Sequence, residues 1–185
     1  NFQIRDQPIG LIPYRLLAVF AAGMAMSASS GLAQHAATDG PYKILKTAKV
    51  GGEGGFDYVY ADSVGRRLYV PRSGPNGRIL VFDLDTLKPV GEIPNANGHG
   101  VVVDPKSNHG FLTSKPVVMF DTKSLTAIKT IGVEGNPDGI LFDPFNERVY
   151  DLSHAAPNVT VIDAKDGSVA GTIDILPTVA KLCGA

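Results

Sequence analysis

From residue 56 onward the apolar positions come in short bursts of four to six residues, each broken by Gly, Pro, Asn or Asp. "YVYAD", "RRLYVPR", "RILVFDLD" and "KPVGEIP" follow one another in this way. They are rich in β-branched and aromatic residues, the texture of strands joined by tight turns. No stretch after residue 40 holds a 3.6-residue period long enough for a helix, so an all-β chain is predicted.

The bursts repeat. "GGFDYVYADSVGRRLYV", "NGHGVVVDPKSNHGFLT" and "NPDGILFDPFNERVYDL" can be written one under another. Asp62, Asp104 and Asp143 recur at intervals of 42 and 39 residues. Phe82-Asp83, Phe120-Asp121 and Ile162-Asp163 follow in phase, and Ile93, Ile131 and Ile173 close each unit. Three landmarks keeping one period of about 40 residues mark a repeat architecture, in which a unit cannot bury its own apolar face and stacks on its neighbours. Four strands in about 40 residues is the arithmetic of a β-propeller blade. The segments "DLDTLKP", "DTKSLTA" and "DAKDGSV" put Asp83, Asp121 and Asp163 at the turn between third and fourth strands, where an Asp carboxylate accepts from the amides that follow it; a turn role is sufficient for them.

Residues "DPKSNHGFLT", "DPFNERVYDL", "LVFDLDTLKPVGEI", "VVMFDTKSLTAIKTIGVEGNPDG" and "VTVIDAKDGSVAGTI" resemble the YVTN-type β-propeller repeat family, the YncE-like exported bacterial proteins, over roughly residues 42 to 175. The resemblance implies a seven-bladed ring, of which about three four-stranded blades are present here. The naming signature is degenerate: Tyr69-Val70-Pro71-Arg72, Phe111-Leu112-Thr113-Ser114 and Tyr150-Asp151-Leu152-Ser153. Phe111 to Asp121 spans 10 residues where the neighbouring units span 14 and 13, so the second unit is expected to have lost most of its loop between second and third strands.

The organisation expected on this basis is blades at 50–94, 95–132 and 133–175, preceded by a linker and lone closing strand, "YKILKTAKV", within 34–49 and its border, and followed by an aberrant tail at 176–185 where the register breaks. A frameshifted or partial member of the family accounts for that break, and open end blades of such a piece would favour self-association. Residues 1–33 read as a secretory signal: Arg5 and Arg15 precede the apolar run Leu16 to Met26, then "SASSGLA" supplies small residues before a cut near Ala33. The run is shorter than the roughly 20 residues of a bilayer span. A periplasmic or secreted protein with no membrane span after cleavage is expected.

Charge narrows the partners. Taking Arg5, Arg15 and Asp6 from 17 basic and 18 acidic residues leaves 15 and 17, a net charge of −2. Such a domain has no electrostatic footprint for nucleic acid or an anionic membrane. Cys183 is the only cysteine, so no intrachain disulfide forms.

One aligned position carries candidate chemistry. Asp57, His99 and Asp138 precede the first strand of successive units, and in a propeller those strands line the central channel. Two carboxylates and an imidazole converging at the channel mouth suit a divalent metal ion, and Tyr58 beside them offers a hydroxyl to a small polar ligand. The same side chains have a purely structural reading, capping amides of the entry loops "GGEGGFDY" and "NANGHGV". His109 and His154 recur at no shared place and read as loop residues; Asn158-Val159-Thr160 matches a glycosylation triplet but reads as a strand start. The glycines of "GGEGG" and Gly98-His99-Gly100 lack the partners of a nucleotide loop, and no nucleophile elbow is present. A binding or scaffold module for an unidentified protein or small polar ligand is expected. The rival reading is an enzyme on the same ring, a metal-dependent lactonase-like hydrolase or the propeller subunit of a periplasmic dehydrogenase, with Asp57, His99 and Asp138 as the ion cage.

Overall fold

The computed structural model describes residues 42–183. The signal reading of 1–33 lies outside the described residues. Among the described residues twelve strands form three four-stranded antiparallel meanders: β1 Tyr60–Asp62 to β4 Pro89–Ile93 through β2 Arg67–Arg72 and β3 Arg78–Asp83; β5 Val101–Asp104, β6 His109–Leu112, β7 Val117–Asp121, β8 Thr126–Ile131; and β9 Pro137–Asp143, β10 Arg148–Ser153, β11 Asn158–Asp163, β12 Val169–Asp174. Within each sheet the strands are ordered as in the sequence. The sheets stack face to face with β5 lying beside both β1 and β9. The all-β propeller architecture expected from the repeat is the one observed.

Why the repeat folds into stacked sheets is visible in the middle blade. Val101, Val103, Leu112, Val118 and Phe120 face the first sheet, where they pack on Tyr69, Ile79, Val81, Ile93 and Ala96. Their strand neighbours Val102, Phe111, Val117 and Met119 face the third sheet and pack on Val149, Ile162 and Ala164. Alternate residues of a strand point to opposite faces, and here both faces are buried, so β5 and β7 read as unbroken apolar runs. Gly110 is required by this packing: a Cβ there would lie 2.1 Å from Cζ of Phe120, which fills the space over it.

The turns repeat as strictly as the strands. Oδ1 of Asp62 accepts from the Val64 and Gly65 amides at 3.0 and 2.9 Å; Asp104 and Asp143 accept likewise from Lys106 and Phe145, both at 2.9 Å. Four residues after each Asp the chain takes a left-handed conformation, at Arg66, Asn108 and Glu147 (φ 54°, 62° and 58°). The expected braces at the next turn are also there: Asp83 accepts from Thr86, Asp121 from Lys123 and Ser124, and Asp163 from Lys165. The Thr86 hydroxyl and amide hold the Asp83 carboxyl below its usual range, and the Ser124 amide and hydroxyl do the same for Asp121.

Three expectations meet a different structure. The shortening of the second unit falls on its strands: β6 and β7 have 4 and 5 residues against 6 in each of β2, β3, β10 and β11, while the loop 113–116 is as long as 154–157. Residues 42–59, including the expected closing strand, carry no strand. The tail contains a helix, α1 Ile175–Leu182. Eight residues give barely two turns, too few for a 3.6-residue period to show in sequence, and Pro177 is tolerated because it falls in the first turn, where its missing amide has no intrahelical partner. Among the described residues no helix is long and apolar enough to cross a membrane.

Candidate functional site

The entry to each inner strand is fixed by backbone geometry. His99 donates its amide to the Thr113 carbonyl at 3.0 Å, the Thr113 amide donates to the Gly100 carbonyl at 2.9 Å, and the Gly100 amide donates to the buried Thr113 hydroxyl at 2.7 Å. The chain at Gly98 passes so close to β6 that a Cβ would stand 1.9 Å from the Thr113 carbonyl oxygen. The Tyr58 amide donates to the His99 carbonyl at 3.1 Å, which ties the entry of β1 to that of β5. Asp138 is carried by β9, whose pairing with β10 shifts register between Leu152 and Ser153.

These constraints bring the three aligned residues together. His99 Nδ1 lies 3.4 Å from Oδ2 of Asp57 and 3.9 Å from Oδ1 of Asp138, and one ligand atom from each residue falls within 4.8 Å of the others. Their side chains are between one third and one half exposed, open to solvent on one side. Three such ligands, two oxygens and one nitrogen, fit a divalent ion that keeps further positions for water or a bound molecule.

The capping role does not explain them. Among the described residues no entry-loop amide donates to the side chain of Asp57, His99 or Asp138. The Gly-rich loop before β1 is held by other groups: the Arg72 guanidinium donates to the Gly52 and Gly54 carbonyls at 3.3 and 2.8 Å, and Asn97 Oδ1 accepts from the Gly74 amide at 3.2 Å. The trio's side chains approach one another across three blades and brace no entry loop among the described residues.

Each member is followed by a residue of one groove. Tyr58, Gly100 and Gly139 begin the wall of a cavity of about 450 Å³ that runs along the inner strands past Tyr60, Val102 and Ile140. The half-exposed Tyr58 ring leans toward Gly100, where a Cβ would meet its Cδ2 at 3.4 Å and Ile140 Cγ2 at 3.2 Å. A ligand held at the mouth would rest against this largely apolar wall.

The two histidines read as loop residues separate in the structure. His109 Nδ1 lies 3.1 Å from the Ala164 carbonyl and stitches the second blade to the third. His154 belongs to the mouth: its Nδ1 stands 3.8 Å from Oδ2 of Asp138, and its Nε2 is 3.1 Å from Nδ2 of Asn136. Its loop follows β10 instead of preceding an inner strand, so no alignment of repeats brings it beside the trio. Asp151, one residue beyond the signature tyrosine position, was likewise invisible as a special group; it is 1% exposed, neither carboxylate oxygen has a hydrogen-bond partner among the described residues, and burial pushes its pKa up to about 6.

No family model matches the chain, and no curated protein matches it. Solved structures do. The chain is similar to the structure of U3-55K, with 15% identity and a TM-score of 0.57 over 66% of this chain and 40% of that one. It is similar to hydrazine synthase of Kuenenia stuttgartiensis (18%, 0.50, over 58% and 34%) and to the RRP9 WD40 repeats (16%, 0.50, over 58% and 35%). The chain thus matches between about a third and two fifths of the length of these structures. At such identities the likeness speaks for the fold, and the fold is a β-propeller.

Proposed function

We propose that this chain is a β-propeller binding module of the YVTN type, exported by its N-terminal signal, that holds a divalent cation at the channel mouth through Asp57, His99 and Asp138 and takes a small polar ligand there beside Tyr58. The observation that carries the reading is the convergence of one ligand atom from each of three successive blades within 4.8 Å, in side chains that brace no loop. An ion at this point would offset the repulsion of two carboxylates drawn toward one another and would leave coordination positions facing the groove.

The test is metal uptake by the full chain. After dialysis against Zn²⁺, Mn²⁺ or Ca²⁺ and removal of free ion, about one equivalent should remain on the wild type, and His99→Ala and Asp138→Asn should each lose it. Uptake that is absent, or the same in wild type and His99→Ala, refutes the reading. Export is tested separately by fusing residues 1–40 to a reporter active only outside the cytoplasm; an inactive fusion removes that part.

A further inference from the structure

The face of the sheets opposite the Asp57 end of β1 carries a second cavity, between the first and second blades, of about 200 Å³. Its wall combines Asp62, Arg67 and Tyr69 of the first blade with Asn108, Thr122 and Lys123 of the second. Two of these wall residues hold a buried polar atom without a hydrogen-bond partner among the described residues, Nη1 of Arg67 and the hydroxyl of Tyr69, a residue with 0% exposure. A buried donor left unpaired costs about 1–3 kcal/mol, so two in one small cavity require an explanation.

The repeat supplies a comparison inside the same molecule. At the boundary between second and third blades the aligned residues are Ser107 and His109, and both reach the Ala164 carbonyl of the third blade, Ser107 Oγ at 3.3 Å and His109 Nδ1 at 3.1 Å. The aligned tyrosine position there is Phe111, which has no hydroxyl to satisfy. In the third blade the residue aligned with Arg67 is Arg148, and its Nη1 donates to Asp163 at 2.6 Å. At the first boundary Gly65 stands where Ser107 does, so the hydroxyl that would fill the gap is missing, and Arg67 Nη1 makes no hydrogen bond among the described residues, although Arg67 lies across the sheet from Asp83 and its charge helps to lower that carboxyl's pKa. The same place in the fold is closed by hydrogen bonds in one interface and is left in the other as a cavity among whose wall residues two hold an unpaired buried donor.

We propose that this cavity binds an oxyanion that still carries a proton, of the hydrogen phosphate or phosphate monoester class. Arg67 and Tyr69 donate to its oxygens, with the Lys123 ammonium adding positive charge at the rim and Asn108 and Thr122 offering further polar contacts. Tyr69 remains a donor at any physiological pH, because burial and then the Asp62 charge push its pKa up to about 12. Asp62 sets the selectivity. Its Oδ1 is taken by the Val64 and Gly65 amides, whereas Oδ2 accepts no hydrogen bond among the described residues. A carboxylate oxygen facing the cavity repels a fully deprotonated anion and accepts from one bearing an O–H, so phosphate is preferred over sulfate, which has no proton to give at neutral pH.

The experiment is a calorimetric titration of the full chain, in a buffer free of both ions, with inorganic phosphate and with sulfate. Phosphate should saturate a single site and sulfate should bind at least about 10-fold more weakly. Arg67→Ala and Tyr69→Phe should each weaken phosphate by about 10-fold, the effect of removing a hydrogen bond to a charged group. Arg67→Lys, which keeps the charge without the fork, should recover part of the loss. Asp62→Asn retains the turn acceptor and adds a donor, so it should abolish the preference for phosphate. The proposal is overturned if wild type shows no saturable uptake at about 10 mM phosphate, ten times a Kd of 1 mM. It is equally overturned if Arg67→Ala and Tyr69→Phe, with melting temperatures like wild type, bind phosphate as wild type does.

Discussion

Replacing Asp151 by Leu should stabilise the protein, and the gain should depend on pH. Asp151 is the residue after the signature tyrosine position; the aligned residues are Val70 and Leu112, both buried and apolar. It points from β10 toward the second blade, in register with Ile140 and Thr160, at 1% exposure and with no hydrogen-bond partner for either oxygen among the described residues. Desolvation raises its pKa from 3.8 to about 6. Below about pH 3.8 the group is protonated both folded and unfolded and contributes nothing. Between about 3.8 and 6 the unfolded chain releases the proton that the folded chain keeps, so stability falls as pH rises. Above 6 the cost is complete: about two pKa units at 1.36 kcal/mol each, or about 3 kcal/mol. Asp151→Leu lacks this component, and its advantage over wild type should grow by about 3 kcal/mol between pH 4 and pH 7.5, or roughly 10 °C in melting temperature for a domain of this size. Asp151→Asn, nearly isosteric and uncharged, should reproduce the pH dependence with a smaller absolute gain, since its amide also lacks partners. Denaturant titrations at four or five pH values measure both curves. An advantage of Asp151→Leu that is constant across the range would show that the buried carboxylate does not ionise against a desolvation cost, and the argument fails.

Gly110→Ala should cost about 1–3 kcal/mol in chemical denaturation, because its Cβ meets the Phe120 ring at 2.1 Å between two packed sheets; a neutral result would mean that β6 and β7 can shift apart. Thr113→Val removes the acceptor of the Gly100 amide in a buried setting and should cost a similar amount, with amide exchange at Gly100 accelerating before that of β5. On the acid side, Asp83 and Asp121 have lowered folded pKa values, so their contribution is present above about pH 3.8 and is lost as pH falls through the lowered values. Asp83→Asn with Asp121→Asn should therefore melt with less pH dependence than wild type below pH 4, and an unchanged slope there would contradict the turn-brace role.

The three sheets were legible because their signals are local. A brace such as Asp62 or Asp83 works within three residues of itself, so each copy of the repeat restates it, and the positions that need a left-handed residue restate themselves four residues later. What failed was information held outside the local window. β5 and β7 show no alternation because their two faces are buried by different sheets, so the face of Val102 and the face of Val103 are indistinguishable in sequence. The shortened span from Phe111 to Asp121 fixes how many residues are missing and not whether strand or loop gives them up; pairing decided for the strands. The helix at Ile175–Leu182 is too short for its period to register against a background of strand texture.

The same distinction separates the two sites. A position such as Asp62, Asp104 and Asp143 keeps its identity through the repeat because the turn needs a carboxylate. The position of Asp57, His99 and Asp138 keeps its place and its polarity while changing its chemistry, and the loops beside it are held by Arg72, Asn97 and Thr113 instead. Polarity retained at an aligned position is visible in one sequence, provided the repeats are aligned; that other residues brace the loops beside it is visible only in the hydrogen bonds of the structure. The cavity around Arg67 and Tyr69 inverts that logic. Arg67 and Arg148 are identical and aligned, each across the sheet from an Asp, yet Arg148 Nη1 donates to Asp163 while Arg67 Nη1 makes no hydrogen bond among the described residues. A site built between units depends on pairs of residues about 40 or more positions apart, and only the stacking of the sheets reveals which pairs meet.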